Sequence, residues 1–278
     1  MTDTSCDLPD SELEQYGIEM IPLKVSFDNG ETFLDRFEIS PAIFVQKMAA
    51  NRTLPKTSTP DPQTFIEYFQ TGLEKKGQVL FISLSSGLSG TFQTAQLANN
   101  MLGNNKVRIF DTLTGSLGTG IMAIKAAQMA AAGLALDLVV EKLNAIRAQS
   151  ETLFTLDTLD NVVKGGRLSR IEGFAGTLLN IKPILRNDNI ITGVPAVIEK
   201  VRSRRKAMER LVSLMGERAG ATINQRLIGV SHVNCKEEAQ QLCQQIIQRY
   251  NPLIPIIIAP MSATIGTYAG EGGMMVNL

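Results

Sequence analysis

Apolar runs of strand length alternate with helix-like segments through the first half of the chain. Val79–Leu84 is nearly continuously apolar, and Val107–Phe110 is a second such run. A helix-like segment begins near Gly90 after the first run, and an alanine-rich one reaches Ala132 after the second. Strands buried on both faces are typical of parallel sheets, and strand–helix alternation builds them. Residues 1–150 are therefore predicted to form an α/β domain with a parallel sheet in an α/β/α arrangement.

The pattern changes past about residue 150, where strand-like runs follow one another with fewer helices between them. Arg186–Asn189 separates two of these runs as a predicted hairpin turn, and Lys236–Arg249 is helix-like. The strand-like runs are Leu153–Leu156, Ile181–Leu185, Ile190–Ile198, Leu227–Val233, Leu253–Ile258 and Met274–Val276. Residues 151–278 are therefore predicted to form a smaller α+β domain with a mixed sheet.

The N-terminus begins with a polar cluster, Thr2–Asp7, and no strand-like run precedes it. Such clusters usually follow a strand in α/β sheets. We therefore expect the start of the chain to be truncated or wrongly assigned.

Composition and charge exclude several classes of function. Lys plus Arg equals Asp plus Glu, at 27 each, and tryptophan is absent, so neither a nucleic-acid surface nor a base-stacking platform is indicated. No apolar run reaches the ~18 residues of a membrane-spanning helix. An odd count of three cysteines fits a reducing cytoplasm, and no Cys or His spacing suggests a metal. We expect a cytoplasmic protein without a cofactor and without stable membrane insertion.

Hydroxyl side chains cluster where strands are predicted to end. Thr57 and Ser58 lie in a Pro/Thr-rich loop, and Ser86 and Ser89 precede the helix that begins near Gly90. Ligands of open parallel sheets bind at the carboxyl ends of the strands, and a helix N-terminus offers unpaired N–H groups. These loops are therefore candidate cradles for a carboxylate or a phosphate. The alternative is that Ser86 or Ser89 only caps the helix.

A catalytic serine is a second interpretation of the same loop. Gly87-Leu88-Ser89-Gly90-Thr91 departs by one residue from the nucleophile-elbow pattern G-x-S-x-G. A catalytic triad also needs a base, and the chain's single histidine is His232. An α/β-hydrolase-like enzyme with Ser89 as nucleophile therefore stays open as an alternative.

One single arginine and one group of three arginines are candidate contacts for anions or partners. Arg167 follows Gly165-Gly166 in a predicted tight turn and could pair with an anion or lie at the surface. Arg202, Arg204 and Arg205 form a basic patch at a predicted helix start. The patch is either a solvated face or a docking site for an acidic partner.

Six motifs, in order and over nearly the whole chain, resemble the DegV family, the bacterial fatty-acid-binding proteins that include the FakB subunits of fatty-acid kinase. Each motif is modest alone, but the ordered set is specific. The motifs are TDTSCDLP at Thr2–Pro9, PKTSTP at Pro55–Pro60, SLSSGLSGTFQTA at Ser83–Ala95, KGGRLSR at Lys164–Arg170, NIKPIL at Asn180–Leu185 and IGTYAGEGG at Ile265–Gly273.

The resemblance implies a two-domain fold that buries a long-chain fatty acid in an apolar tunnel. Matching motifs places the carboxylate on Thr57 or Ser58 and on Ser89, with Arg167 in the same network. The remaining ligand-binding candidates are Ser86 and Gly90 in the hydroxyl loop and Thr267 and Tyr268 in the closing motif. Candidate tunnel residues are Leu88, Phe92 and Phe174, for which core packing is the alternative.

Two departures from the family pattern lie in the closing motif. Tyr268 stands where the family commonly has histidine, and Gly270-Glu271-Gly272 stands where it commonly has Gly-Pro-Gly. A tyrosine hydroxyl donates a hydrogen bond but carries no positive charge. The departures imply either weaker recognition of the head group or a different ligand.

The resemblance also implies a non-catalytic carrier. It would present the carboxylate to a separate ATP-dependent kinase, which would supply Mg²⁺, and it would carry the acyl phosphate onward. The arginine patch Arg202, Arg204 and Arg205 is the candidate docking surface for this fatty-acid kinase subunit. A binding protein for another small anion is a further alternative.

Overall fold

The computed structural model describes residues 1–103, 105–168 and 181–278. The strands of the described residues are β1 (Thr2–Asp3), β2 (Met20–Ile21), β3 (Lys24–Ser26), β4 (Thr32–Leu34), β5 (Lys56–Ser58), β6 (Val79–Ser83), β7 (Val107–Asp111), β8 (Thr152–Thr155), β9 (Ile181–Asn187), β10 (Pro195–Arg202), β11 (Gly229–His232), β12 (Ile257–Pro260) and β13 (Met274–Asn277). The α-helices are α1 (Asp10–Tyr16), α2 (Pro41–Ala50), α3 (Pro62–Lys76), α4 (Thr91–Leu102), α5 (Leu117–Ala131), α6 (Leu136–Gln149), α7 (Asp160–Lys164), α8 (Arg204–Ala219), α9 (Lys236–Tyr250) and α10 (Ala263–Ala269).

The strands β2, β1, β6 and β7 form a parallel sheet in that order, with helices on both faces. Alternate residues of β6 point to opposite faces, as the two-residue period of a strand requires. Phe81 packs with α3 and α4 in one apolar cluster, and Ile82 packs with α5 and α6 in another. The predicted α/β/α arrangement of the first half is confirmed.

The second half forms a six-stranded mixed sheet in the order β10-β9-β8-β13-β11-β12. Its neighbours are antiparallel except for β11 and β12, which are parallel. One face carries Leu153, Ile184 and Val276 and packs against α8 and α9. The opposite face carries Phe154, Leu185 and Met275. The mixed sheet predicted for this half is confirmed, whereas the division at 150/151, which falls between α6 and β8, stays a prediction.

Two local predictions were wrong. The Pro/Thr-rich loop contains a strand, β5, because Val25 and Thr57 are paired in a small antiparallel sheet of order β4-β3-β5. The hairpin turn predicted at 186–189 is instead the longer connection 188–194, since β9 continues to Asn187. The polar N-terminal cluster begins with β1, which lies between β2 and β6, and the expectation for the start of the chain stays a prediction.

Two buried carboxylates near the start of the chain hold the first residues of α10. Asp7 Oδ1 accepts a hydrogen bond from the Ser262 backbone N–H at 2.8 Å. Asp35 accepts from the backbone N–H groups of Ala263 at 3.0 Å and Thr264 at 2.9 Å. Unpaired N–H groups and the helix dipole favour negative charge at a helix N-terminus. This contact joins segments more than two hundred residues apart in the chain.

Burial opposes the ionisation of these carboxyl groups. Desolvation raises the pKa of Asp7 from 3.8 to about 7, although hydrogen bonds from Ser116 and Ser262 act in the opposite direction. Desolvation also raises the pKa of Asp35 and of Asp3. A carboxyl group with a raised pKa retains its proton in the folded protein at pH values where the unfolded chain has lost it.

The free energy of unfolding is therefore expected to fall as pH rises between 3.8 and about 7. Asp7→Asn keeps an acceptor for Ser262, places a donor toward Ser116 and does not titrate. In the variant, the free energy of unfolding should decrease less steeply with pH, by up to about 1.4 kcal/mol per pH unit, because Asp7 no longer contributes. Asp3 and Asp35 should supply the decrease that remains.

Urea unfolding of both proteins across this pH range measures the difference. Asp28→Asn, at an exposed loop position, is the control and should follow the wild type. Identical slopes for the wild type and Asp7→Asn would contradict the assignment.

Candidate functional site

An apolar cavity lies where the β6–α4 loop, the six-stranded sheet and α10 meet. Thr152, Phe154 and Leu156 alternate along β8 and its continuation, so they all face the cavity. The apolar lining residues are Leu84, Leu88, Phe154, Leu156, Val162, Pro195, Ile265, Ala269 and Met275. The polar or small ones are Thr57, Ser89, Gly115, Thr152, Arg167, Asn187, Thr264 and Tyr268.

Four of the predicted site residues line this cavity: Thr57, Ser89, Arg167 and Tyr268, here named the polar cluster. The hydroxyl oxygens of Thr57 and Tyr268 are 2.7 Å apart and share a hydrogen bond. The Arg167 guanidinium lies over the Tyr268 ring, 4.7 Å from its centroid. Its Nε donates to the Leu88 carbonyl at 3.2 Å, which joins the arginine to the loop that carries Ser89.

Local sequence explains how these side chains are placed. On β5, strand alternation turns Thr57 toward the cavity and leaves Ser58 exposed. Gly165 lies against the ring of Tyr268, where a Cβ atom would overlap the ring carbons. Gly166 has a positive φ of 70°, which favours glycine and turns the chain toward Arg167.

Four other predicted site residues do not line the cavity. Ser58 is exposed, and Gly90 is an exposed residue at the start of α4. Ser86 donates its backbone N–H to Asp111, 3.1 Å away. Thr267 is fully buried and donates its hydroxyl to the Ala263 carbonyl within α10. Direct contact of these side chains with a ligand in this cavity is therefore not indicated.

The candidate tunnel residues divide in the same way. Leu88 lines the cavity, Phe92 does not, and Phe174 lies outside the described residues. Sequence reasoning missed Phe154, Met275 and Asn187 as lining residues. The alternation along β8 could have indicated Phe154, but only strand pairing places Met275 beside it.

Ser89 has no hydrogen-bonded base among the described residues. Its hydroxyl contacts the Thr91 hydroxyl at 2.9 Å and accepts from the Thr91 backbone N–H at 3.3 Å. The single histidine, His232, instead accepts from the Cys235 backbone N–H through Nδ1. Burial lowers the pKa of His232. The hydroxyl thus contributes to the start of α4, and the geometry gives no support to a serine nucleophile.

Residues 1–103, 105–168 and 181–278 lack the features that a metal site or a membrane-spanning helix would need. They contain no group of three or more His, Cys, Asp and Glu side chains that could hold a metal ion. They also contain no helix long and apolar enough to cross a bilayer.

The basic patch is less uniform than its sequence suggests. Arg204 is mostly buried and pairs with Glu238 at 2.8 Å and with Asp157 at 3.6 Å. Arg205 is exposed and pairs with Glu209 on the next turn of α8. Arg202 is exposed at the end of β10. Arg204 therefore connects structural elements, and Arg202 and Arg205 are the accessible members.

The two sheets, the apolar cavity and the polar cluster define an α/β protein with an internal cavity that is apolar except for polar side chains on part of its wall. A family model described as "Uncharacterised protein, DegV family" matches residues 1–277. Protein DegV of Bacillus subtilis strain 168 is 34% identical over 275 residues, which are 99% of this chain and 96% of that protein. The chain belongs to the DegV family, as its motifs indicated.

Solved structures of the family share this fold. A DegV family protein from Thermus thermophilus, described under fatty acid binding, is 28% identical with a TM-score of 0.89. DegV of Bacillus subtilis, described as a fatty acid binding protein, is 32% identical with a TM-score of 0.86. Each comparison covers 99% of this chain and 96% of the solved chain.

Tyr268→Phe tests the hydrogen bond within the polar cluster. Removing the hydroxyl leaves Thr57 without this partner and should lower the free energy of unfolding by about 0.5–1.5 kcal/mol. Thr57→Val should cost a similar amount, and the double variant should cost less than the sum, because both changes remove the same bond. Urea unfolding at neutral pH measures all three. Tyr16→Phe, whose hydroxyl only accepts a 3.5 Å contact, is the control, and additive losses would contradict the pairing.

Proposed function

We propose that this protein binds a long-chain fatty acid, with its carboxylate at the polar cluster and its acyl chain in the apolar cavity. The observation that carries the proposal is the polar cluster, three hydroxyls and one guanidinium, on the wall of a mostly apolar cavity. Relatives from Bacillus subtilis and Thermus thermophilus that are described as binding fatty acids support the same ligand class.

The acyl chain would supply most of the affinity. Burial of apolar surface contributes about 0.8 kcal/mol for each methylene group, so a chain of about 16 carbons exceeds the cost of association. Phe154, Leu156 and Met275 offer the apolar surface that such a chain requires. A small polar anion would gain nothing from this lining, which favours a fatty acid over a phosphorylated metabolite.

The polar cluster would fix the position of the head group. A buried carboxylate is costly unless it is paired and hydrogen-bonded. Thr57, Ser89 and Tyr268 carry hydroxyls that can rotate toward an anion, and Arg167 supplies the positive charge. Because Arg167 lies over the ring of Tyr268, this chain retains a cation beside the position where the family commonly has histidine.

Recognition of the carboxylate can be separated from burial of the tail. Wild-type protein should bind palmitate more tightly than its uncharged methyl ester. Thr57→Val with Ser89→Ala should weaken palmitate binding by about 1.5–3 kcal/mol for each hydrogen bond lost to the charged group. Binding of the ester should change little.

Ser58→Ala is the matched control, since Ser58 neighbours Thr57 on the same strand but is exposed. Titration calorimetry with both ligands gives the affinities, and unfolding curves verify the fold of each variant. Equal palmitate affinity of the double variant and the Ser58→Ala control would overturn the head-group assignment.

We further propose that the protein does not catalyse a reaction itself and presents the bound carboxylate to a separate fatty-acid kinase. The absence of a hydrogen-bonded base at Ser89, within the described part of the chain, supports a carrier. The accessible arginines Arg202 and Arg205 are candidate docking residues for an acidic surface of the kinase.

Reversing these charges tests docking without disturbing the cavity. Arg202→Glu with Arg205→Glu should leave palmitate affinity unchanged and lower acyl-phosphate formation with a purified fatty-acid kinase subunit, Mg²⁺ and ATP. Arg204 is left intact because it pairs with Glu238 and Asp157. Lys75→Glu with Lys76→Glu reverses two exposed charges on α3 as the control. Turnover equal to that of the control would contradict the docking role.

A further inference from the structure

A second cavity borders the first. It has a volume of about 190 Å³, and its apolar lining includes Ile121, Met122, Ile146 and Leu227. Thr152 lines both cavities. The two spaces therefore share a wall, and the side chain of Thr152 forms part of it.

This shared wall is a buried network of hydrogen-bonded polar side chains. Asn187, which lines the first cavity, donates to Asn189 Oδ1 at 2.9 Å, and Asn189 donates to the Thr152 hydroxyl at 3.3 Å. Thr152 donates to Asn277 Oδ1 at 3.1 Å, and Asn277 lines the second cavity. The side chains Thr152, Asn187, Asn189 and Asn277 are here named the septum, and each is at least 97% buried.

The septum is also fixed from outside. The Thr152 hydroxyl lies 2.8 Å from that of Thr114, at the end of the parallel sheet. Asn187 donates to the Leu113 carbonyl in the same loop. Gly118, in the first turn of α5, lies so close to Thr114 and Asn277 that a Cβ atom would overlap both. Elements of both halves thus hold the septum in one arrangement.

Thr152, at the start of β8, and Leu156, just after its end, both line the first cavity. Leu156 packs in one apolar cluster with Val162 of α7, the helix that leads to Arg167, and with Ala269, the neighbour of Tyr268. Thr152 precedes Leu156 by four residues, which spans about 13 Å of extended chain. An acyl chain that begins at the polar cluster and follows this face of β8 therefore meets the septum with its methyl end.

We propose that the septum sets the maximum length of acyl chain that the protein accepts, and that Thr152 is the residue that separates the first cavity from the second. The inference rests on the proposed binding of a fatty acid. The hydrogen bonds hold the septum side chains in place, so a longer chain would have to overlap the volume that Thr152 fills and is rejected.

Wild-type protein should show this limit in a series of saturated fatty acids from about 10 to about 20 carbons, with affinity rising per methylene and then falling abruptly. Thr152→Ala removes two heavy atoms from the wall and should move the limit to longer chains. The affinity for the first acid beyond the wild-type limit is compared with the affinity for the last acid that the wild type accepts. This ratio should be about tenfold higher in Thr152→Ala than in the wild type, as expected for two further buried methylenes.

Thr152→Val is the matched control, because it loses the same hydroxyl but keeps the volume of the wall. It should retain the wild-type limit. Thr152→Ser keeps the hydroxyl and removes only the methyl group, so it tests the limit with the hydrogen bonds intact if Thr152→Ala unfolds. Thermal unfolding identifies folded variants before titration.

The outcomes separate the two proposals. If wild-type protein binds no acid of the series, the proposed function fails and the septum inference fails with it. If fatty acids bind but no length limit exists, or if Thr152→Val moves the limit as far as the smaller variants, the septum inference alone is overturned. A limit moved by Thr152→Ala or Thr152→Ser, and unmoved by Thr152→Val, supports it.

Discussion

The attachment of α10 to two carboxylates from the start of the chain is the contact on which the site depends. Asp7 and Asp35 accept hydrogen bonds from three successive backbone N–H groups, Ser262 to Thr264. One turn further along the same helix, Tyr268 meets Thr57 of β5 and the guanidinium of Arg167. Without these carboxylates, the helix would present unpaired N–H groups to a buried surface, and the polar cluster would lose a wall.

This attachment has an electrostatic consequence. The helix N-terminus favours negative charge, yet burial raises the pKa of Asp7 to about 7. The same desolvation that makes the hydrogen bonds strong therefore makes ionisation costly. A junction built from carboxylates and backbone N–H groups is directional, which fixes the orientation of α10, whereas apolar packing alone would tolerate small rotations.

Sequence patterns predicted the layers of the fold better than its contacts. Long apolar runs such as Val79–Leu84 identify buried strands, because one continuous segment carries the whole signal. The strand β5 was missed because three residues between prolines carry no periodicity, and only pairing with β3 makes them a strand. Motif matching selected Thr57, Ser89, Arg167 and Tyr268, which line one cavity, but their hydrogen-bonding partners come from segments that no local pattern connects.

The septum, too, could not be predicted from local sequence patterns. Residue type predicts turn positions for Asn187 and Asn189, since asparagine is common in turns, and an ordinary strand position for Thr152. The septum side chains become neighbours only when β8, β9 and β13 pair and the loop after β9 folds back onto the parallel sheet. A polar network fully buried inside an apolar core is costly unless every member is held by its neighbours. If a fatty acid binds in the first cavity as proposed, this network is a rigid boundary at the end of the acyl chain. Discrimination by length requires a rigid boundary, because a flexible apolar wall would yield to one more methylene group.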